Sequence, residues 1–478
     1  MHSFHSIKAL IIFQWLLLFL FSIAIVFFSS SNGANSKPQV FHLPIRKDDV
    51  TLQYYTSFEV GPTEFIVNAV IDVGALFLWF NCDDGYNSSS YKPVPCGSSK
   101  CKIAKGIGCL GCNGTPRLGR TNNTCPLYSY NPFNNSLRSG GLGEDNIYAY
   151  ETDGRSVLLH INVPRFPFVC ADSGSLNGLA KGTKGILGLG RTQIALPMQL
   201  ANAFELKRKF ALCVPSSSQS GLGDIFIGGG PYYMLPYTKN VSELLITTPL
   251  IISPVSTAPI YSVGDPSDEY FIGVKSIKID GQIVEFKTSL LPIDKKGVGG
   301  TKISTINPYT ILHTSIYKAV IKDFVKKAAS RKITRVASVA PFGACFSSKT
   351  IASTMTGPAV PTIDLVLQSR SVYWRIYGAN SMVKVKENVL CLGIVDGGLK
   401  PRTSIVIGEH QLEENMLEFD LASSKLGVSS SLLLHNTNCS HYRIFWGCSF
   451  GSNAYEPDFS FVLFAIFTPQ WITFQVKT

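Results

Sequence analysis

Two short stretches carry residues whose type and spacing can do acid–base chemistry. In Phe65–Asp83, FIVNAVIDVGALFLWFNCD, the acid Asp72 is followed two residues later by Gly74. Apolar alternation up to Ile71, and again through Phe77–Phe80, predicts two buried strands. Asp72 is then displayed at a strand-to-turn junction, where glycine lets the backbone approach closely. Taken alone, Asp-x-Gly is an ordinary turn after a strand. The chain, however, repeats the design. Each half holds a strand, an apolar-polar loop and, later, an apolar strand ending in glycine: Gly185–Gly190 in the first half and Ser404–Gly408 in the second. The glycines of Gly185–Gly190 suit close packing beneath the Asp72 loop; a phosphate loop would need a lysine and an acidic partner that are absent here. A period of roughly 200 residues suggests two similar lobes around a cleft. Two carboxylates facing each other there would share a proton and activate water. The second loop reads Ser304-Thr305-Ile306, and serine does not ionise near neutral pH.

Positioning such loops takes a large β scaffold. The 478 residues exceed one core of about 250–300, so two lobes are the default. Charged residues are only 16% against 45% hydrophobic, and 41 glycines and 26 prolines are scattered throughout, which favours many short strands and turns. Strands are predicted at Tyr54–Val60, Phe166–Cys170, Ile225–Gly229 and Tyr270–Ile279. A hairpin is predicted from Ile147–Tyr150 and Ser156–Ile161 around Asp153-Gly154. Helices are few: Leu196–Phe204, with Pro197 in its first turn, and one starting from Thr314 as N-cap, with an apolar face running from Ile316 to Ala328. The expected fold is all-β and bilobal, with lobes at 53–215 and 224–439, a boundary at Ser216–Gly223 and an atypical tail at 440–478.

Residues 1–34 read as a signal peptide: Lys8, the apolar run Ala9–Phe28, then small residues to Ala34. The run is long enough to span a bilayer, so an uncleaved anchor is the alternative. Twelve cysteines fit an oxidising compartment. Cys82, Cys96, Cys101, Cys109, Cys112 and Cys125 crowd one insertion, 82–125; Cys170, Cys213, Cys345, Cys391 and Cys439 are further disulfide candidates, and Cys448 lies in the tail. Cys109-Leu-Gly-Cys112 lacks the second pair that a zinc site needs, so no metal or cofactor is expected. Asn87, Asn113, Asn122, Asn134, Asn240 and Asn438 each begin a glycosylation sequon. The net charge of +11 is dispersed without aromatic interleaving, which excludes a nucleic-acid surface and favours acidic cell-wall polysaccharide.

With these residues in hand, the chain resembles the pepsin-like aspartic proteases. Those proteins present a catalytic acid in apolar-Asp-Thr/Ser-Gly, with a Trp a few residues on, here Trp79. Over Gln53–Cys439 it is more closely similar to the plant branch of extracellular dermal glycoproteins, basic 7S globulins and endoglucanase or xylanase inhibitors. The strings that carry this are TKISTINPYT from Thr301, VASVAPFGAC from Val336, CLGIVDGG from Cys391 and TSIVIG from Thr403. The resemblance implies a protein without protease activity: Ser304 replaces the second acid, Ile306 crowds a glycine's place, Val73 lacks a supporting hydroxyl and Ala75 replaces serine. Asp72 is then vestigial, and Asp294, Asp323 and Asp396 are too poorly placed to substitute. It also implies inhibition of microbial xylanase or endoglucanase in the apoplast and cell wall as part of plant defence. His435, four residues before Cys439, matches the histidine that xylanase-inhibiting members insert. Glucanase-inhibiting members carry arginines where Met355 and Asn436 stand here, and Arg335 and Arg402 on predicted loops are the nearest substitutes. Arg120 stands where relatives have a cysteine. Alternatives are a surviving aspartic endopeptidase, or a peptide-binding or storage protein like the basic globulins.

Overall fold

The structure, a computed structural model, describes residues 39–442 apart from 107, 112–116 and 257–264. The expected leader, Cys112, Asn113 and the tail from 443 onward lie outside the described residues. Alternating sequences become strands with alternating burial: Tyr54–Val60 reads buried at every second position. Nineteen strands join one continuous sheet running through both halves. At its centre, six antiparallel strands lie side by side: Phe41–Lys47, Gly223–Ile227, Lys209–Cys213, Met416–Asp420, Lys425–Val428 and Ile246–Ile251. Residues from before Tyr54 and from after Met416 therefore share one layer.

The repeated strand-glycine design forms the same local structure twice. Phe65–Asp72 pairs in parallel with Gly185–Gly188, placing Asp72 opposite Gly188. Thr301–Ile303 pairs in parallel with Ile405–Ile407, placing Ile303 opposite Ile407 just before Gly408. Both glycines are required by contact. A Cβ on Gly188 would lie 2.5 Å from the Phe77 nitrogen, and one on Gly408 2.4 Å from the Tyr309 carbonyl carbon.

Elsewhere the chain departs from simple periodicity. The expected short hairpin is one long one, Ser136–Thr152 against Val157–Ala171, and it absorbs the separate strand foreseen at Phe166–Cys170. Pro164 would interrupt a regular ladder; it falls where the register shifts, beside Arg165 at φ 56°. The strand foreseen over Tyr270–Ile279 splits into Phe271–Ile272 and Ser276–Ile279, which belong to different sheets. The helix Leu196–Phe204 forms as expected. The long helix Thr314–Ser330 is capped one residue earlier than expected. His313 Nδ1 accepts the Ser315 N–H, while the Thr314 hydroxyl is committed to Asp396 Oδ1 at 2.6 Å. Its buried face is Ile316, Val320, Phe324 and Ala328.

Ten of the candidate cysteines form five disulfides: Cys82–Cys170, Cys96–Cys109, Cys101–Cys125, Cys213–Cys439 and Cys345–Cys391. Arg120 approaches Asp172 at 3.3 Å. Among the described residues, no helix is long and apolar enough to cross a membrane, and no cluster of His, Cys, Asp or Glu could hold a metal ion.

Candidate functional site

The two loops meet at the floor of a cavity of about 220 Å³ whose lining includes Asp72, Gly74, Phe77, Trp79, Glu269, Lys302, Ser304 and Asn307. Asp72 Oδ1 accepts the Gly74 N–H at 2.7 Å, so glycine's bare backbone turns its amide onto the acid. Asp72 is half-buried and lines the cavity. Burial pushes its carboxyl up to about 6; the Gly74 hydrogen bond opposes this, the Glu269 charge adds to it and Lys302 pulls it down.

Across the floor, Ser304 does not address Asp72. Its hydroxyl donates to Asn307 Oδ1 at 2.9 Å and accepts the Ile306 and Asn307 N–H groups. A hydroxyl has one proton to give, and this one is spent within its own loop. The next residue does reach across: Thr305 Oγ1 donates to the Ile71 carbonyl at 2.8 Å and accepts the Val73 N–H at 3.1 Å. Val73, in the reciprocal place, offers only methyl groups, so the loops are clasped from one side.

The roof is the strand Pro126–Asn131, which pairs with the first strand of the long hairpin. In Pro126–Asn131, Leu127, Ser129 and Asn131 are buried in the lobe. Alternation therefore turns Tyr128 and Tyr130 to the cavity, with Pro132 beyond them. A second carboxylate is also present, from a position the sequence did not suggest. Glu269 Oε1 lies 2.7 Å from Lys302 Nζ, and its Oε2 accepts the Ser267 hydroxyl at 3.0 Å. A Cβ on Gly74 would lie 3.2 Å from Glu269 Cγ, so this side chain stands against the Asp72 loop. Asp294, Asp323 and Asp396 are not among the residues lining the cavity. The arrangement supplies one half-buried acid, one acid neutralised by lysine, and aromatic walls.

The five residues considered for partner binding are not gathered here. Met355, 58% exposed, is at the turn joining Ser353–Thr354 to Gly357–Pro358. Arg335 lies on the strand Arg335–Val336 instead of a loop, and reaches the Gly343 carbonyl. Arg402 borders an open hollow with Lys296, His313 and Lys400. The His435 ring packs on Tyr237 with centroids 5.3 Å apart, and Asn436 follows in the left-handed region at φ 54°. None of the five lines the cavity. Among the sequons, Asn87, Asn122 and Asn134 are exposed, while Asn240 and Asn438 are half-buried.

This geometry has relatives. Residues 54–229 match the family model "xylanase inhibitor N-terminal", and residues 269–430 match "xylanase inhibitor C-terminal". The chain belongs to the xylanase-inhibitor family. It is 50% identical to the probable aspartic proteinase GIP2 of Nicotiana benthamiana over 87% of this chain and 94% of that one. To gamma conglutin 1 of Prunus dulcis it is 38% identical over 89% and 96%. Among solved structures, that of EDGP aligns with a TM-score of 0.84 at 51% identity, covering 86% of this chain and 99% of the other. Soybean basic 7S globulin aligns at 0.74 and 33%, covering 85% and 99%. The family resemblance read from the sequence and the mostly-β pepsin-like fold both stand. Glu269, Lys302, Tyr128 and Tyr130 are what the sequence reading missed. Only the tyrosines left a signal, the alternation of Leu127, Ser129 and Asn131.

Proposed function

We propose that this protein is a secreted, catalytically silent member of the family that binds and inhibits a microbial xylanase or endoglucanase through loops of its C-terminal half. The observation that carries the silent part is the Ser304 hydroxyl, in the second acid's place and donating to Asn307. Peptide hydrolysis on this fold needs one acid to activate water while another polarises the carbonyl. Loss of one such group costs about 10²–10⁴ in rate. Support for a glycosidase partner comes from the names of the family models. It also comes from chemistry: a glycosidase groove presents two carboxylates, which accept hydrogen bonds from an inserted donor. His435 and Asn436 end a segment anchored by Cys439 and are the first choice for that insertion. Secretion with N-glycans, and retention by acidic cell-wall polysaccharide, fit the sequons and the charge of +11. The test is titration against a panel of fungal xylanases and endoglucanases at acidic and neutral pH. Stoichiometric loss of activity with at least one enzyme, weakened about tenfold by His435→Ala, is expected. Full activity of every enzyme at micromolar protein overturns the reading.

A second reading, an acid endopeptidase, is favoured by Glu269 sharing the cavity with Asp72. Its ion pair with Lys302 argues for a structural charge. Cleavage of peptides at acidic pH that disappears in both Asp72→Ala and Glu269→Gln would establish this alternative.

A further inference from the structure

The cavity over Asp72 combines features that a silent protease does not use. The Asp72 carboxyl accepts a hydrogen bond from the Gly74 N–H of its own loop, while the Ala75 N–H donates to the Asp72 backbone carbonyl. No side chain is hydrogen-bonded to its carboxyl among the described residues. Beside it, the protein already holds one ammonium against one carboxylate, Lys302 Nζ on Glu269 Oε1 at 2.7 Å. With Asp72 ionised the cavity therefore contains two negative charges and one positive. Its walls are aromatic: Phe77 and Trp79 on one side, Tyr128 and Tyr130 above. Ring faces attract cations, and the half-buried Asp72 carboxylate in the same lining completes a cation site. Size narrows the choice. At about 220 Å³ the space is smaller than the ~300–1,000 Å³ usual for drug-sized ligands, so one side-chain-sized group fits. Anions meet two carboxylates there, and a neutral ligand leaves the excess negative charge unmatched.

We propose that this cavity binds a primary ammonium group carried on a short apolar stem, its nitrogen between Asp72 and the rings of Tyr128 and Tyr130. The same chemistry comes from two sources, a free alkyl diamine or a lysyl side chain of a peptide. The inference goes beyond glycosidase inhibition and does not depend on it.

The test uses the purified mature protein by calorimetry at pH 7.5, above the Asp72 value of about 6. Probes are 1,5-diaminopentane, a blocked lysyl tripeptide and its Nε-acetylated control. At least one amine probe binds saturably and the acetylated control does not; which probe binds identifies the source. Asp72→Asn weakens binding about tenfold or more, and Tyr128→Ala with Tyr130→Ala weakens it about threefold to tenfold. Lys302→Met tightens binding about tenfold, because it removes the internal competitor for the carboxylates. A merely structural role for these residues would weaken all variants alike. Should Lys302→Met not fold, Glu269→Gln replaces it: Lys302, released toward Asp72, then weakens amine binding. No saturable binding of either amine, equal binding of the acetylated control, unchanged affinity in Asp72→Asn, weaker binding in a folded Lys302→Met, or, where Glu269→Gln stands in, binding no weaker than wild type overturns the proposal. Mass spectrometry of the tripeptide reads hydrolysis separately; cleavage would count against the silent reading alone.

Discussion

The loops Ile71–Ala75 and Ile303–Asn307 are built on the same frame and do different things. Each leaves a strand paired in parallel with an apolar partner, and each is packed over a glycine that tolerates no Cβ. The first aims an acid into a cavity. The second turns its polar residue back on itself and sends the neighbouring hydroxyl across to the first loop. Scaffold and chemistry are therefore separable here: both loops keep the frame, and only the first presents a carboxylate.

The sharpest way to break that comparison is to remove the clasp. Thr305→Val leaves the Ile71 carbonyl and the Val73 N–H without their partner in a buried place. Unfolding free energy should fall by about 3 kcal/mol in denaturant titration. A smaller loss would mean that the frame alone holds the lobes.

Asp72 tests the other loop through pH. Its carboxyl is raised from 3.8 to about 6 on folding, so the folded state binds the proton more tightly than the unfolded chain. Stability from this group is full below about pH 4 and is lost as pH rises to about 6. Relative to Asp72→Asn, the wild type should lose about 2 kcal/mol over that window, less than the full shift implies because cavity water reaches the carboxyl. The difference between the two proteins is the measurement. Other carboxyls, such as Glu413 and Asp420, are held low and titrate with the opposite sign in both. A flat difference would mean that Asp72 is solvated.

Val73→Thr supplies the missing reciprocal hydroxyl, and should add about 1 kcal/mol through donation from the Thr305 N–H to the new oxygen. Combined with Thr305→Val it should recover part of that variant's loss. The smallest effect is at the turn between Pro126–Asn131 and Ser136–Thr152. Asn134→Gln should leave stability within about 0.5 kcal/mol while removing one glycan, seen as a gel shift sensitive to peptide:N-glycosidase in the parent only. Equal mobility of the two would remove Asn134 from the glycan acceptors.

Local features were legible in the sequence. The Asp72 turn, the two strand-glycine units and the helix at Leu196–Phe204 each depend on neighbours within a few residues. Features set by distant packing were not. Glu269 opens what reads as an apolar strand, and only the approach of Gly74 and Lys302 makes it part of a cavity. The break after Ile272 follows from two sheets competing for one run of chain. Arg335 reads as a loop residue because its strand is two residues long. Which cysteine meets which could not be read either, since four sulfurs already allow three pairings.

The bond between Cys213 and Cys439 spans 226 residues and attaches the end of the described chain to the central sheet. It makes the C-terminal half a closed ring. An extracellular protease cutting that half once, at any exposed turn, would open the ring without releasing a fragment. Such a nicked protein would run as a single species under non-reducing conditions and as two under reduction. The six-stranded layer shared by both pieces would keep them folded together in the meantime.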